Sequence, residues 1–259
     1  MRSFLLSVGA LLIVVLTAVF AAPALIDWNE YRGEFERQAS AMLGREVRVG
    51  GDTRLRLLPT PTMHFEEVRI ADASGRFDQP ILRAEGITVF LAVGPLLQGH
   101  VEAREVKLVA PELRLGVDEH GRGNWRGLGD GVKLGFGPSD IALSLVDIQE
   151  GAFVLLAKDG SELIRLDRLN GELSAPSLAG PYRFRGAAQQ SGEAREVKVS
   201  TAAIEPGGGL RFKATVAVPS TGNSFGFDGS ATGLDAVPRL EGALEATVAL
   251  DTTAATGED

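Results

Sequence analysis

Residues 103–116 read AREVKLVAPELRLG, and residues 143–156 read LSLVDIQEGAFVLL. Val106, Leu108, Leu113 and Leu115 in the first stretch recur as Val146, Ile148, Phe153 and Leu155 forty positions on, with polar or small residues between most of them. A period of two marks a strand with one dry face and one wet face, whereas an amphipathic helix would repeat every ~3.6 residues. The alternation breaks once in each copy, near Pro111 and Gly151, so each copy reads as strand, tight turn, strand. A forty-residue period is also close to that of a propeller blade, but the Trp-Asp blade signature is missing. Repeated hairpins in one long sheet suit the pattern better.

The same alternation spreads outward in both directions. It runs through Arg54 to Leu57, Val101 to Val109, Ile141 to Leu145, Leu163 to Leu169, Tyr182 to Arg185 and Val197 to Val199. It continues through Leu210 to Val218, Phe225 to Phe227 and Leu244 to Leu250, with Pro, Gly, Asp or Asn between runs. About fourteen strands are expected, each apolar on one side, as in a half-buried antiparallel sheet. One helix precedes them. Trp28, Tyr31, Phe35, Ala39, Met42 and Leu43 form its apolar stripe, Asp27 or Asn29 can cap its start, and Gly44 its end.

Ser3 to Ile26 is a run of 24 residues without a charge. As a helix it would reach ~36 Å, enough to cross a ~30 Å hydrocarbon core with tilt. Arg2 precedes the run and Asp27 and Glu30 follow it, which orients the N-terminus to the cytoplasm and the rest outside. Trp28 and Tyr31 stand at the membrane interface in this reading. A cleaved signal peptide is the rival, with Ala22-Pro23-Ala24 as the cleavage site. Its usual core of ~7–15 apolar residues is shorter than this run. The expected organisation is an anchor over 1–26, a β region with an amphipathic helix over 27–125 and a Gly-rich connection over 126–139. A second β region over 140–250 and a disordered tail over 251–259 complete it.

Composition removes several classes of function. With 26 Lys+Arg against 34 Asp+Glu, the net charge of -8 offers no basic surface for nucleic acid. The absence of cysteine removes disulfides, thiol nucleophiles and thiolate metal sites. His64, His100 and His120 fall in no metal-ligand spacing, and no Gly-x-Ser-x-Gly elbow or His-Glu-x-x-His occurs. Gly127-Leu-Gly-Asp-Gly131 lacks the Lys-Ser/Thr of a phosphate loop and reads as a linker. No catalysis and no cofactor are expected.

Energetics then poses the main question. Fourteen strands at ~4.8 Å spacing make a sheet of roughly 67 Å, and a helix of ~24 Å covers only part of it. The remaining apolar face is closed by a second sheet or barrel, or it stays open as a curled trough for acyl chains. Periodicity alone leaves both open. Val106, Leu108, Leu113, Leu115, Phe153 and Leu155 are the candidate lining of such a trough.

Several further stretches carry a family likeness. Ile26-Asp27-Trp28 with Tyr31, Gly44-Arg45, Leu58-Pro59-Thr60-Pro61, Ala84-Glu85 and Pro95-Leu96-Leu97-Gln98-Gly99 occur in that order. Val106-x-Leu108-x-x-Pro111-Glu112-Leu113, Asp118 to Gly121 and Gly123-Asn124-Trp125 follow. Over residues 1–125 this resembles the N-terminal part of the AsmA family of bacterial envelope proteins. Leu169 to Ser174 and Leu178 to Tyr182 are similar to a second segment of many members. The resemblance implies a mainly β fold, in which a transmembrane helix and a short amphipathic helix precede a long antiparallel, curled, groove-like sheet. It also implies an inner-membrane, periplasm-facing protein whose partner is phospholipid, acting in lipid transfer to the outer membrane. A role in outer-membrane protein assembly through other envelope proteins is the alternative it implies.

Overall fold

The computed structural model describes residues 9–10, 26–94, 103–128, 143–176, 180–205, 209–233 and 237–249. The proposed anchor therefore lies almost wholly outside the described residues, as do most of the Gly-rich connection and the tail. Among the described residues no helix is long and apolar enough to cross a membrane.

The chain enters through a 3₁₀ turn at Trp28–Tyr31, where the Asp27 carboxylate accepts the Asn29 N–H at 3.0 Å. Helix α1 follows at Arg32–Leu43 and stops at Gly44, whose φ of 66° places it in the left-handed region that glycine tolerates. The side of α1 that meets the sheet is narrower than the expected stripe. Ala39 and Leu43 pack on the core and Phe35 meets Phe65 edge-on at 5.5 Å. Tyr31 and Met42 stay exposed. Glu36 and Ser40 take part instead, as described below.

Among the described residues thirteen strands form one sheet. The first six are β1 (Val47–Val49), β2 (Thr53–Arg56), β3 (Thr62–Ile70), β4 (Leu82–Leu91), β5 (Ala103–Val109) and β6 (Glu112–Gly116). The remaining seven are β7 (Leu143–Leu156), β8 (Glu162–Ala175), β9 (Arg183–Gln190), β10 (Glu193–Thr201), β11 (Leu210–Val218), β12 (Asn223–Thr232) and β13 (Arg239–Thr247). Strand order is β1-β3-β4-β5-β7-β8-β9-β10-β11-β12-β13, with β2 beside β3 and β6 between β4 and β7. The last strand starts and ends earlier than the alternation over Leu244 to Leu250 suggests.

The sheet is mixed, which corrects the antiparallel expectation. β5 and β6 both run parallel to β7, in the register Val106↔Val146 through Leu113↔Phe153 to Gly116↔Leu156. The two echoing stretches therefore lie side by side, each residue against its counterpart forty positions on. Parallel neighbours need a long connection, and Gly116 and Leu143 are far enough apart in sequence to allow one. The expected tight turn inside each copy is absent as well. In its place Ala110 and Glu150 adopt φ of 46° and 52°, and the chain runs on in the same direction. Glu67 in β3 and Arg168 in β8 do the same, with φ of 51° and 49°.

These four residues mark a transverse line where the apolar alternation skips one position. Phe65 and Ile87 on one side of the line join Val68, Ile70 and Leu113 on the other in a single cluster with Val47, Val49 and Ile81. A Cβ on Gly151 would lie 3.0 Å from the Ile148 side chain and 3.2 Å from Pro111, tighter than ordinary contact, so glycine lets the chains approach closely at that crossing. The skip keeps apolar side chains on one side while the strands reorient.

Candidate functional site

Following the register across the sheet gives two transverse rows. One runs Met63–Val89–Val106–Val146–Leu173–Phe184–Val199–Ala214–Phe227–Leu244. The other runs Phe65–Ile87–Leu108–Ile148–Gly171–Gly186–Val197–Val216–Phe225–Ala246 over the same ten strands. Every member is apolar or glycine. Opposite cross-strand partners share a face of a sheet, so these rows form one apolar surface about nine strand spacings, or roughly 43 Å, long.

The intervening positions make the wet face. His64, Thr88, Lys107, Asp147, Glu172, Arg185, Lys198, Thr215, Gly226 and Glu245 follow one another there in register. His64 Nδ1 and Thr88 Oγ1 are 2.9 Å apart. Beyond the crossing, Arg114 meets Glu112 at 3.0 Å and Arg165 meets Asp167 at 2.9 Å. Val154 lies between Arg114 and Arg165 in register and is fully buried. The arginine stems are long enough to cover it; the Arg165 side chain is 40% exposed and that of Arg114 only 22%, with its Nε buried.

The floor of the apolar face has relief. The Phe184 ring lies over the Gly171–Gly186 pair, where added Cβ atoms would approach it to 3.0 and 2.7 Å. Phe227 lies likewise over Gly229 and Gly242, and meets Phe212 at 5.0 Å. At both places a recumbent ring replaces side chains that would stand upright.

Cover on this face is uneven. α1 sits over the β1–β4 end, where Ile81 and Ala84 are almost fully buried. Among the described residues no second sheet or further helix lies over β8–β13. The path of strands also ends at β1 and β13 without closing on itself, so the sheet is open rather than a barrel.

All six candidate lining residues fall in the parallel junction. Val106 and Leu108 lie against Val146 and Ile148, and Leu113 and Leu115 pair with Phe153 and Leu155. Leu113 and Leu115 pack on the covered core. The rest of the lining lies further along the sheet, where Leu173, Phe184, Val197, Val199, Val216 and Phe227 are half-buried and Phe225 and Leu244 are exposed. Alternation had marked most of those strands, but cross-strand register, which alone joins them into rows, cannot be read from one strand. Trp28 and Tyr31 form a tilted pair 5.7 Å apart beside the helix start.

Three carboxylate-held turns gather at the β3–β4, β6 and β7–β8 ends. Asp72 and Asp118 open matching segments, Asp-Ala-Ser-Gly-Arg and Asp-Glu-His-Gly-Arg, each with a left-handed glycine and an arginine paired back to the aspartate. The N–H of Arg122 donates to Asp118 at 2.8 Å and holds its carboxyl below the usual range despite a smaller opposing desolvation. Burial raises Asp72, but hydrogen bonds from Arg76 and Ser74 outweigh it, and the net shift is downward. Beside them Asn124 imitates a strand, accepting the Gly116 N–H and donating to the Arg114 carbonyl at 2.8 Å. Trp125 packs on the core. These are folding devices, and among the described residues no three His, Asp or Glu side chains converge as for a metal.

The profile described as "AsmA family" matches residues 2–133. The protein named Protein AsmA, from Escherichia coli (strain K12), is 25% identical over 115 residues. That stretch is 44% of this chain and 18% of the relative, so the likeness spans under a fifth of the relative's length. No solved structure matches.

Proposed function

The chain belongs to the AsmA family, and from that premise we propose that it is a bacterial envelope protein that holds phospholipid acyl chains on its open apolar face. The observation that carries this reading is the pair of apolar rows crossing ten strands, with a helix over only one end. A soluble sheet leaves so long an apolar surface bare only at a large cost in hydration. Each acyl CH₂ laid against it contributes about 0.8 kcal/mol. Curling of the sheet around the chains would form a trough, with headgroups kept at its wet margin. Anchored in the inner membrane by residues 1–26 and facing the periplasm, such a trough would serve lipid transfer toward the outer membrane. The assembly-factor alternative draws on a different feature, the unpaired edge of β13.

Photo-crosslinking in cells tests the reading. A photoreactive amino acid at Val199 is expected to capture phospholipid, and the same residue at Lys198, one position away on the wet face, is not. Equal capture at both positions, or none at Val199 in a folded protein, would remove the acyl-chain reading.

A further inference from the structure

The two edges of the sheet are built differently. At the first edge α1 supplies acceptors to backbone donors that have no strand to pair with. Ser40 Oγ accepts the Val47 N–H at 2.8 Å and Glu36 accepts the Val49 N–H at 2.7 Å. Asn29 Oδ1 accepts the Thr53 N–H of β2 at 2.9 Å. That edge is closed to another strand. The other edge is β13, exposed at all nine residues, and among the described residues nothing pairs with its outer side. Of the devices that keep an edge from pairing it has charges, at Arg239, Glu241 and Glu245 on its wet face, but no proline and no bulge. The positions on its apolar face are Leu240, Gly242, Leu244 and Ala246. Leu240 and Leu244 are 65% and 84% exposed.

We infer that β13 is an interface for a second copy of this chain, paired antiparallel about a two-fold axis at Gly242. This rests on the open apolar face described above, which the pairing would extend. The register follows from charge. Centred on Gly242, Arg239 of each copy stands opposite Glu245 of the other, and Leu240 opposite Leu244, so every such contact occurs twice. Centred one residue later, on Ala243, Glu241 would face Glu245 across the seam twice over. A parallel arrangement in register would stack Glu241 on Glu241 and Glu245 on Glu245. Of these three arrangements, the Gly242 register joins opposite charges on the wet face and leucines on the apolar face, and it does so along most of the strand. It also leaves small residues at the axis, where Phe227 of each copy already lies over Gly242. The apolar rows of one copy then continue into the other, and the continuous surface doubles in length.

The chain contains no cysteine, so introduced thiols report cleanly. In the proposed register Glu241 stands opposite Ala243, at a Cα separation of about 4.5–5.5 Å, within disulfide range. Full-length chains carrying Glu241→Cys and Ala243→Cys, expressed together in the membrane and oxidised, are expected to form a covalent dimer. Either variant alone should give little. Efficient crosslinking by Ala243→Cys alone would place the axis at Ala243 and overturn the register. No crosslink in any combination, with a monomeric mass for the native chain, would overturn the interface.

Charge exchange gives a second readout. Glu245→Arg should weaken association by roughly tenfold, and adding Arg239→Glu should restore it. Leu244→Glu should give a monomer, and because Leu244 is solvent-exposed its fold is expected to survive. A dimer that persists in Leu244→Glu would overturn the proposal. Lipid capture at Val199 is scored separately. Its loss with dimerisation intact counts against the acyl-chain reading alone, and its retention in a chain that never dimerises counts against the pairing alone.

Discussion

The two ends of this sheet follow the same rule of alternation and meet different fates. At the β1–β4 end, Val47, Val68, Ile70 and Ile81 are buried beneath Ala39 and Leu43 of α1, and the edge donors are satisfied by side chains of the same helix. At the β11–β13 end, Phe225, Leu240 and Leu244 follow the same period and stand in the open. Period two therefore decides which side of a strand is apolar. It does not decide whether anything covers that side. Among the described residues one helix makes one end a conventional core, and no helix lies over the other.

The largest test of that contrast is a matched truncation. Ile81→Ala removes a side chain that is 1% exposed, and should cost about 2–5 kcal/mol in denaturant unfolding of the full chain. Leu244→Ala removes a comparable side chain that is almost bare within one copy, and in dilute, monomeric protein should change stability by less than about 0.5 kcal/mol. Equal losses in the monomer would mean that the chain itself covers its far end. Glu36→Ala comes next. It strips the acceptor from the Val49 N–H and should cost about 1–2 kcal/mol, with faster amide exchange at Val49 and little change in β13.

Much of this architecture was legible in the sequence. Alternation located most strands, the forty-residue echo pointed to the strands that became neighbours, and Asp27 and Gly44 marked the ends of the helical segment. The direction of the echoing strands was not legible, because Pro111 and Gly151 are equally at home in a turn and in a kink. What decides is the parallel pairing of β5 and β6 with β7, a tertiary fact. The sealing of the first edge was hidden for a similar reason. Glu36 and Ser40 look like solvent-facing helix residues until β1 is placed beside them. For the candidate site, the apolar positions could be read strand by strand, but their union into rows depends on register, which is set by pairing with the next strand. The recumbent Phe184 and Phe227 followed no periodic signal; a Phe-x-Gly spacing, present at Phe184–Gly186 and Phe227–Gly229, was the cue available.

The transverse line of left-handed residues runs through β3 to β8 and, among the described residues, has no counterpart inside the strands of the open end, which gives a smaller test. An L-residue with positive φ is strained, and glycine relieves that strain. Ala110→Gly should therefore leave stability unchanged or raise it by about 0.5 kcal/mol. Ala214→Gly, in an ordinary strand of the open end, should lower it by about 0.5–1 kcal/mol, and chemical denaturation compares the two directly. A loss at Ala110 as large as that at Ala214 would show that the skip in alternation does not depend on the left-handed backbone.

Acid supplies the smallest effect and separates the two ends by their turns. Asp118 and Asp72 hold turns beside the covered end by accepting the turns' own N–H groups, while at the β9–β10 hairpin the Glu193 carboxylate accepts from the Arg195 and Ser220 side chains instead. A carboxyl whose folded pKa lies below its unfolded one stabilises the fold above the ordinary aspartate range, and that contribution is lost as pH falls through the depressed value. Both aspartates are shifted downward, so below about pH 4 the turns they hold should loosen before the hairpins of the open end. Asp118→Asn keeps an oxygen for the His120 and Arg122 N–H groups and removes the charge that pairs with the Arg122 guanidinium. Its Arg122 amide should exchange slightly faster than the native one at neutral pH and show no further change in the acid window, while the native amide speeds up there. Superimposable acid profiles for the two proteins would mean that the amide bonds alone, and not the charge, hold this end of the sheet closed.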